Sequence, residues 1–184
     1  MENQKQISKL TKKQNAAIAR ITRNNLQEWQ NQTYFDCGQT CATNGHHAVR
    51  INIKTNSKPN DVFSKLFNRF GIAGIVMQKG KFARVESSKN ILDEILSHKF
   101  CNSYHIKPGK TIKIPFGNDA FVYFDAALLK NVFDAIGNPE DFCKTIRAQN
   151  HCQFYLQTNE KLPAAYIRSD IGDALIMPLN PRYM

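Results

Sequence analysis

The sequence predicts an α+β fold with helices and antiparallel strands segregated along the chain, and three observations predict it. Apolar residues recur at helical spacing in two places: Leu10, Ala17, Ile18 and Ile21 near the start, and Leu128, Leu129, Val132, Phe133 and Ile136 in the last third. Alternation marks a strand at 48–54, where Val49, Ile51 and Ile53 share one face and Arg50, Asn52 and Lys54 the other. Short strand-like runs near 143–148, 152–158, 163–168 and 173–179 are separated by Asn150, Asn159 and Gly172, the pattern of an antiparallel sheet.

Taken in order, residues 8–29 are predicted as the first helix, with Ser8 or Thr11 as its cap. Tyr34 to Ala42 and Ala48 to Lys54 follow as two strands joined through Thr43-Asn44-Gly45-His46, because Asn-Gly favours the left-handed conformations of a hairpin turn. Residues 55–115 form an inserted α/β subdomain: a short helix from Asp61 to Phe70 stopped by Gly71, a hairpin around Lys79-Gly80, a helix from Ser88 to Phe100 and a turn at Pro108-Gly109. A strand at Ala120 to Phe124 then leads through Asp125, an N-cap, into a helix that ends at Ile136 and is closed by Gly137. The whole chain, 1–184, is read as a single domain carrying that insertion.

With 42% hydrophobic and 22% charged residues the composition is that of a folded chain, which excludes a mainly disordered one. No run approaches the ~20 apolar residues of a membrane span, and the opening Glu2, Asn3, Gln4 and Lys5 do not form a signal peptide, so a cytoplasmic protein with no membrane partner is expected. Five scattered cysteines, Cys37, Cys41, Cys101, Cys143 and Cys152, suit reduced thiols better than a disulfide framework. The net charge of +10 directs attention to polyanions. On a helix spanning 8–29, Lys9, Lys12, Lys13, Arg20 and Arg23 fall within an arc of about 100° with no acid among them, opposite a separate apolar arc. Five such cations, aimed at a phosphate backbone, bind it without sequence preference and with strong salt dependence.

Competing chemistries are weaker. Cys37, Cys41, His46 and His47 are residue types that ligate zinc, but four residues of extended strand separate the two thiols by roughly 13 Å unless the strand breaks at Gly38. Cys152 beside His151, or Cys101 near His105, is a cysteine–histidine pair only in sequence, and neighbours on a strand point to opposite faces. There is no phosphate loop, dinucleotide fingerprint or paired-acid motif, so neither catalysis nor a cofactor is expected. Trp29, Tyr34 and Phe35 beside the basic helix can stack on bases, although closing a core at the helix-to-sheet junction is the favoured expectation.

Two tracts carry a family likeness. Cys41-Ala42-Thr43-Asn44-Gly45-His46-His47-Ala48-Val49 resembles the Ala-Thr-Asp-Gly-His-Arg-Leu-Ala hairpin of bacterial DNA polymerase III sliding clamps, and Asp173-Ala174-Leu175-Ile176-Met177-Pro178-Leu179 resembles their terminal Met-Pro-Met-Arg strand. Between them, Phe124-Asp125-Ala126-Ala127-Leu128-Leu129-Lys130 stands where a clamp half-domain starts its helix. The resemblance implies a DNA-clamp-like fold of two strand-helix-antiparallel-strand units, from 1–54 and 116–179, with helices on one face of the sheets and turned toward duplex DNA. It also implies a groove for a peptide motif of a replication partner, lined by Thr43, Gly45 and His46 of the hairpin and Met177, Pro178 and Leu179 of the last strand. Asn44 and His47 depart from the family's Asp and Arg, Asn180 from its Arg, and 181–184 extend past its usual end. A one-domain chain would need about six copies to close a ring, so a homo-oligomer and a ring-less relative both remain open. The second functional reading is a protein-interaction module of clamp-like shape in which the basic helix is only a solvated face.

Overall fold

The computed structural model describes residues 7, 9–36, 39–53, 62–70, 72–73, 76–77, 81–84, 111–115, 121–137, 152–158 and 163–179. The predicted helix at 88–100, the predicted strand at 143–148, and Cys37, Cys101, Cys143, His105 and His151 lie outside them.

Helix α1 spans Lys12–Ile21, shorter than the predicted 8–29. Its start is set by a capping box: the Thr11 hydroxyl accepts from the Gln14 backbone N–H, and the Gln14 side chain accepts in return from the Thr11 N–H at 2.8 Å. Its end is set by polar side chains, which compete with helix propagation for backbone partners. The Thr22 N–H and hydroxyl both donate to the Ile18 carbonyl, Asn24 adopts the left-handed conformation at φ 55°, and the Asn25 side chain donates to the Ile21 carbonyl. Thr11→Ala should lower stability by about 1 kcal/mol and Thr11→Ser by much less. Urea midpoints measure the difference, and equal losses would remove the hydroxyl from the account.

The strand predicted at Tyr34 to Ala42 is two strands. β1 (Tyr34–Asp36) pairs antiparallel with β2 (Gln39–Thr43), Asp36 opposite Gln39, so the chain reverses between these two residues. β3 (His47–Asn52) follows through the expected Asn-Gly turn, with Gly45 at φ +87° and the Asn44 side chain accepting from the His46 and His47 N–H groups. Helix α2 (Val62–Arg69) forms close to its predicted limits, but the next pairing joins β4 (Ile72–Ala73) to β5 (Val76–Met77), not strands around Lys79-Gly80. β6 (Phe82–Arg84) precedes a hairpin of β7 (Thr111–Pro115) with β8 (Phe121–Asp125). Helix α3 (Ala126–Ile136) starts at the predicted cap, Asp125 accepting from the Ala127 and Leu128 N–H groups, and ends at Gly137. β9 (Gln153–Gln157), β10 (Ala165–Arg168) and β11 (Gly172–Ile176) complete the described chain.

These elements make a mixed α+β fold around one seven-stranded sheet, ordered β1-β2-β3-β11-β10-β9-β6 and antiparallel throughout. The first six strands read as a palindrome, with the last strand of each half, β3 and β11, paired at the centre. The segment before each helix lies beside the end of its own half: the Ile7 N–H donates to the Asn52 carbonyl, and the Leu179 N–H donates to the Tyr123 carbonyl. Both halves therefore run strand or bridge, helix, then three antiparallel strands, 7–53 and 121–179.

Alternation sends two sets of side chains to opposite faces. Ala42, Val49, Ile51, Phe154, Leu156, Ala165, Ile167, Ala174 and Ile176 meet Ala17, Ile18 and Ile21 of α1 and Leu129, Val132, Phe133 and Ile136 of α3. On the other face Cys41, Ala48, Tyr166 and Leu175 meet Phe63 and Phe67 of α2. The described parts of the 55–115 insertion therefore join the main body, since α2 covers the sheet and β6 extends it. Cys41 and Cys152 are buried thiols.

Gly172 is held close to the central partner strand: a Cβ there would stand 2.3 Å from the Arg50 carbonyl oxygen, so a side chain at this position would push β11 off β3.

Candidate nucleic-acid interface

Gln14, Ala17, Ile18 and Ile21 turn inward from α1, and the Gln14 side chain donates to the Ala135 carbonyl of α3 at 3.2 Å. That contact sets α1 against α3. Asp134, only 6% exposed, lies between them. A buried carboxylate is costly unless ion-paired and hydrogen-bonded, and three cations meet this one. Arg20 donates from Nη2 to Asp134 Oδ2 at 2.7 Å and from Nε to Asn131 Oδ1 at 2.7 Å; Lys130 Nζ reaches Oδ2 at 2.5 Å, and Lys13 Nζ reaches Oδ1 at 3.3 Å.

The five cations expected on one helix are thus distributed differently. Lys12, Lys13 and Arg20 belong to α1, whereas Lys9 precedes its cap and Arg23 follows its last turn. Lys13 and Arg20 are bound to an acid, which the sequence pattern does not reveal, while Lys9, Lys12 and Arg23 are exposed and carry no ion pair among the described residues. Lys130 joins the set from the second helix. Three cations about one carboxylate leave +2, and Lys9, Lys12 and Arg23 against Asp125, the N-cap of α3, bring the sum over the two helices and their flanks to +4. At ordinary ionic strength the Debye length is about 8–10 Å, so Lys13, Arg20 and Lys130, which meet at one carboxylate, act together on an approaching polyanion. The Asp134 contacts hold Arg20 and Lys130 in place, so little side-chain freedom is left to lose on binding.

The predicted partner groove is brought together only in part. The Met177 N–H donates to the His46 carbonyl at 2.8 Å, so hairpin and terminal segment are adjacent, with His46 exposed and Met177 38% exposed. Pro178 and Leu179 are half-buried. Thr43 is buried and works inside the turn, donating to the His47 carbonyl at 2.8 Å and accepting from the Gly45 N–H, so it presents nothing to a partner. Gly45 backs onto the carboxamide of Gln30, 3.0 Å from where a Cβ would stand.

Two buried polar groups are not evident from the sequence. Arg50 and Asp173, cross-strand partners at the sheet centre, form a bidentate pair through Nε at 2.8 Å and through Nη2, under the Phe67 ring of α2 at 3.6 Å. Tyr166 donates its hydroxyl to Asp173 at 2.9 Å. Burial opposes the charge on Arg50, but the bond to Asp173 and the field of its carboxylate outweigh burial and raise the guanidinium's pKa. Burial first, then the Asp173 charge, pushes the Tyr166 phenol well above its usual range.

His47 faces the α1–α3 side with Val49 and Ile51, and among the described residues neither ring nitrogen has a hydrogen-bond partner. Burial, aided by the charge of His46, lowers its pKa to about 3. Cys41 faces the opposite side of the sheet, so it and His47 cannot share an ion across that sheet.

Comparison of the chain with protein-family models, with curated proteins and with solved structures finds no match.

Proposed function

We propose that this is a non-catalytic, clamp-like protein that holds duplex DNA by its phosphates, without sequence preference, on the face formed by α1 and α3. One observation carries the reading: two helices side by side on one face of the sheet carry, with their flanks, Lys9, Lys12, Lys13, Arg20, Arg23 and Lys130 against the acids Asp125 and Asp134, and Lys13, Arg20 and Lys130 meet at Asp134. The duplicated halves, each with one helix and three antiparallel strands, support the clamp-like part, because the sliding-clamp resemblance implies that arrangement.

Duplex DNA of unrelated sequences should bind with equal affinity at low salt, and log K should fall steeply with log salt. Replacing Lys9, Lys12 and Arg23 together by Ala should make that slope shallower by about 2–3, near 0.9 for each phosphate that is no longer neutralised. Filter binding across a salt series measures it; no binding at low salt, or a slope unmoved by the triple variant, removes the proposal.

The occupation of Lys13 and Arg20 by Asp134 favours a second reading, a protein-interaction module in which the juxtaposed His46 and Met177 receive a short apolar peptide motif of a replication partner. Peptide affinity lost on Met177→Ala, with no DNA affinity in the parent protein, would select it.

A further inference from the structure

Trp29, Tyr34 and Phe35 do not share the core-closing role expected of them. Tyr34 packs on Phe63, ring centroids 5.7 Å apart, and Phe35 is half-buried. Trp29 is 42% exposed, and Leu26, in the same loop, is 104% exposed. Scattered apolar residues on a surface need no explanation; these two stand on a loop whose backbone is tied down along its length. Asn25 N–H donates to Asn31 Oδ1 at 2.7 Å, the Asn31 amide returns a bond to the Asn25 carbonyl, and Asn25 Nδ2 also reaches the Gln30 carbonyl at 2.9 Å. Gln30 N–H donates to the Gln27 carbonyl, the Gln30 side chain is buried beneath Gly45, and the Tyr34 hydroxyl donates to the Trp29 carbonyl at 2.8 Å. The indole N–H donates to the Gln27 side chain, which satisfies the polar edge of the ring. The loop therefore presents the indole from a fixed frame.

Its surroundings favour a polyanion. Between residues 12 and 35 Glu28 is the one acid, against Lys12, Lys13, Arg20 and Arg23. Two of the carbonyls at the end of α1, which would repel phosphate, are occupied, Ile18 by Thr22 and Ile21 by Asn25.

We propose that Trp29, held out on this loop, which follows α1 in the chain, stacks on an unpaired base of single-stranded nucleic acid whose phosphates lie against the cations of α1. This rests on the phosphate-binding face proposed above and adds a preference for strands with accessible bases, since bases inside a duplex are already stacked.

Trp29 is the sole tryptophan of the chain, so its emission reports the contact directly. The full chain is titrated at low salt with labelled oligothymidylate, with duplex DNA and with vesicles containing phosphatidylserine, following label anisotropy and tryptophan emission together. Emission should be quenched by oligothymidylate in step with the anisotropy rise. Trp29→Ala should weaken oligothymidylate binding roughly 5- to 150-fold, the worth of one stacked base, while duplex affinity and its salt slope stay unchanged and Trp29→Phe retains most of the affinity. Binding of oligothymidylate that leaves emission unquenched and is indifferent to Trp29→Ala overturns the stacking while sparing the phosphate-binding face. Absence of binding to either nucleic acid overturns both. A blue shift on vesicles without quenching by oligothymidylate overturns it in favour of a lipid surface.

Discussion

Arg50→Met should lower the free energy of unfolding by about 3–5 kcal/mol. The variant takes from the Asp173 carboxylate, 0% exposed at the centre of the sheet, the guanidinium that it is paired with, and keeps the Tyr166 hydroxyl. Asp173→Leu should cost a similar amount by taking the carboxylate from the guanidinium that is buried beneath Phe67. The double variant Arg50→Met/Asp173→Leu should recover much of either loss, because an ion pair replaced whole by apolar groups of similar volume leaves no uncompensated buried charge. Urea unfolding of the four proteins, compared at a common m-value, tests the cycle. If the double variant loses the sum of the two single losses, the pair is not acting as a unit and the account is wrong.

Acid should unfold this protein partly through a single imidazole. The folded form holds the His47 pKa near 3 against an ordinary 6.5, so in that interval the unfolded chain takes up a proton that the folded chain refuses. His47 therefore costs no proton-linked stability above pH 6.5 and progressively more below it, at about 1.4 kcal/mol per pH unit. Between pH 7 and pH 4.5 the loss from this group is about 2–3 kcal/mol. His47→Leu should abolish that increment and should already stabilise the protein near neutrality, since two nitrogens without hydrogen-bond partners among the described residues are no longer buried. The measurement is the stability difference between variant and parent at the two pH values, which cancels the carboxylates common to both. A difference that does not widen on acidification rejects the role given to His47.

Neighbouring residues made some of this fold legible in the sequence. Asp125 before an apolar run and Gly137 after it delimited α3 because both signals act within one helical turn. The Asn-Gly turn before β3 was legible for the same reason. The end of α1 was not, because apolar spacing continues past Ile21 into Leu26 while the terminating signal lies in the polar Thr22, Asn24 and Asn25. The reversal between β1 and β2 was signalled only by Gly38, and strand propensity on either side masked it.

In the candidate site, the cations were legible but their electrostatic setting was not. Lys13 and Arg20 are more than 110 residues from Asp134, and the meeting depends on α1 packing against α3. Arg50 looked like the polar side of a one-sided strand because alternation cannot show that α2 covers that side. The burial of His47 was likewise not legible, because the residue stands one place before the predicted strand and outside its alternation.

The palindromic strand order has a consequence for biosynthesis. Residues joined across the middle of the sheet, such as Arg50 and Asp173, are 123 positions apart, so during translation the first half of the protein waits for nearly all of the second before its central hydrogen-bond ladder can form. Throughout that interval a nascent strand rich in Val and Ile displays bare amides and carbonyls, the condition under which neighbouring chains on a polysome pair with one another. The rate of elongation from β3 to β11 thus sets how long the newborn polypeptide depends on dilution or a chaperone to remain single.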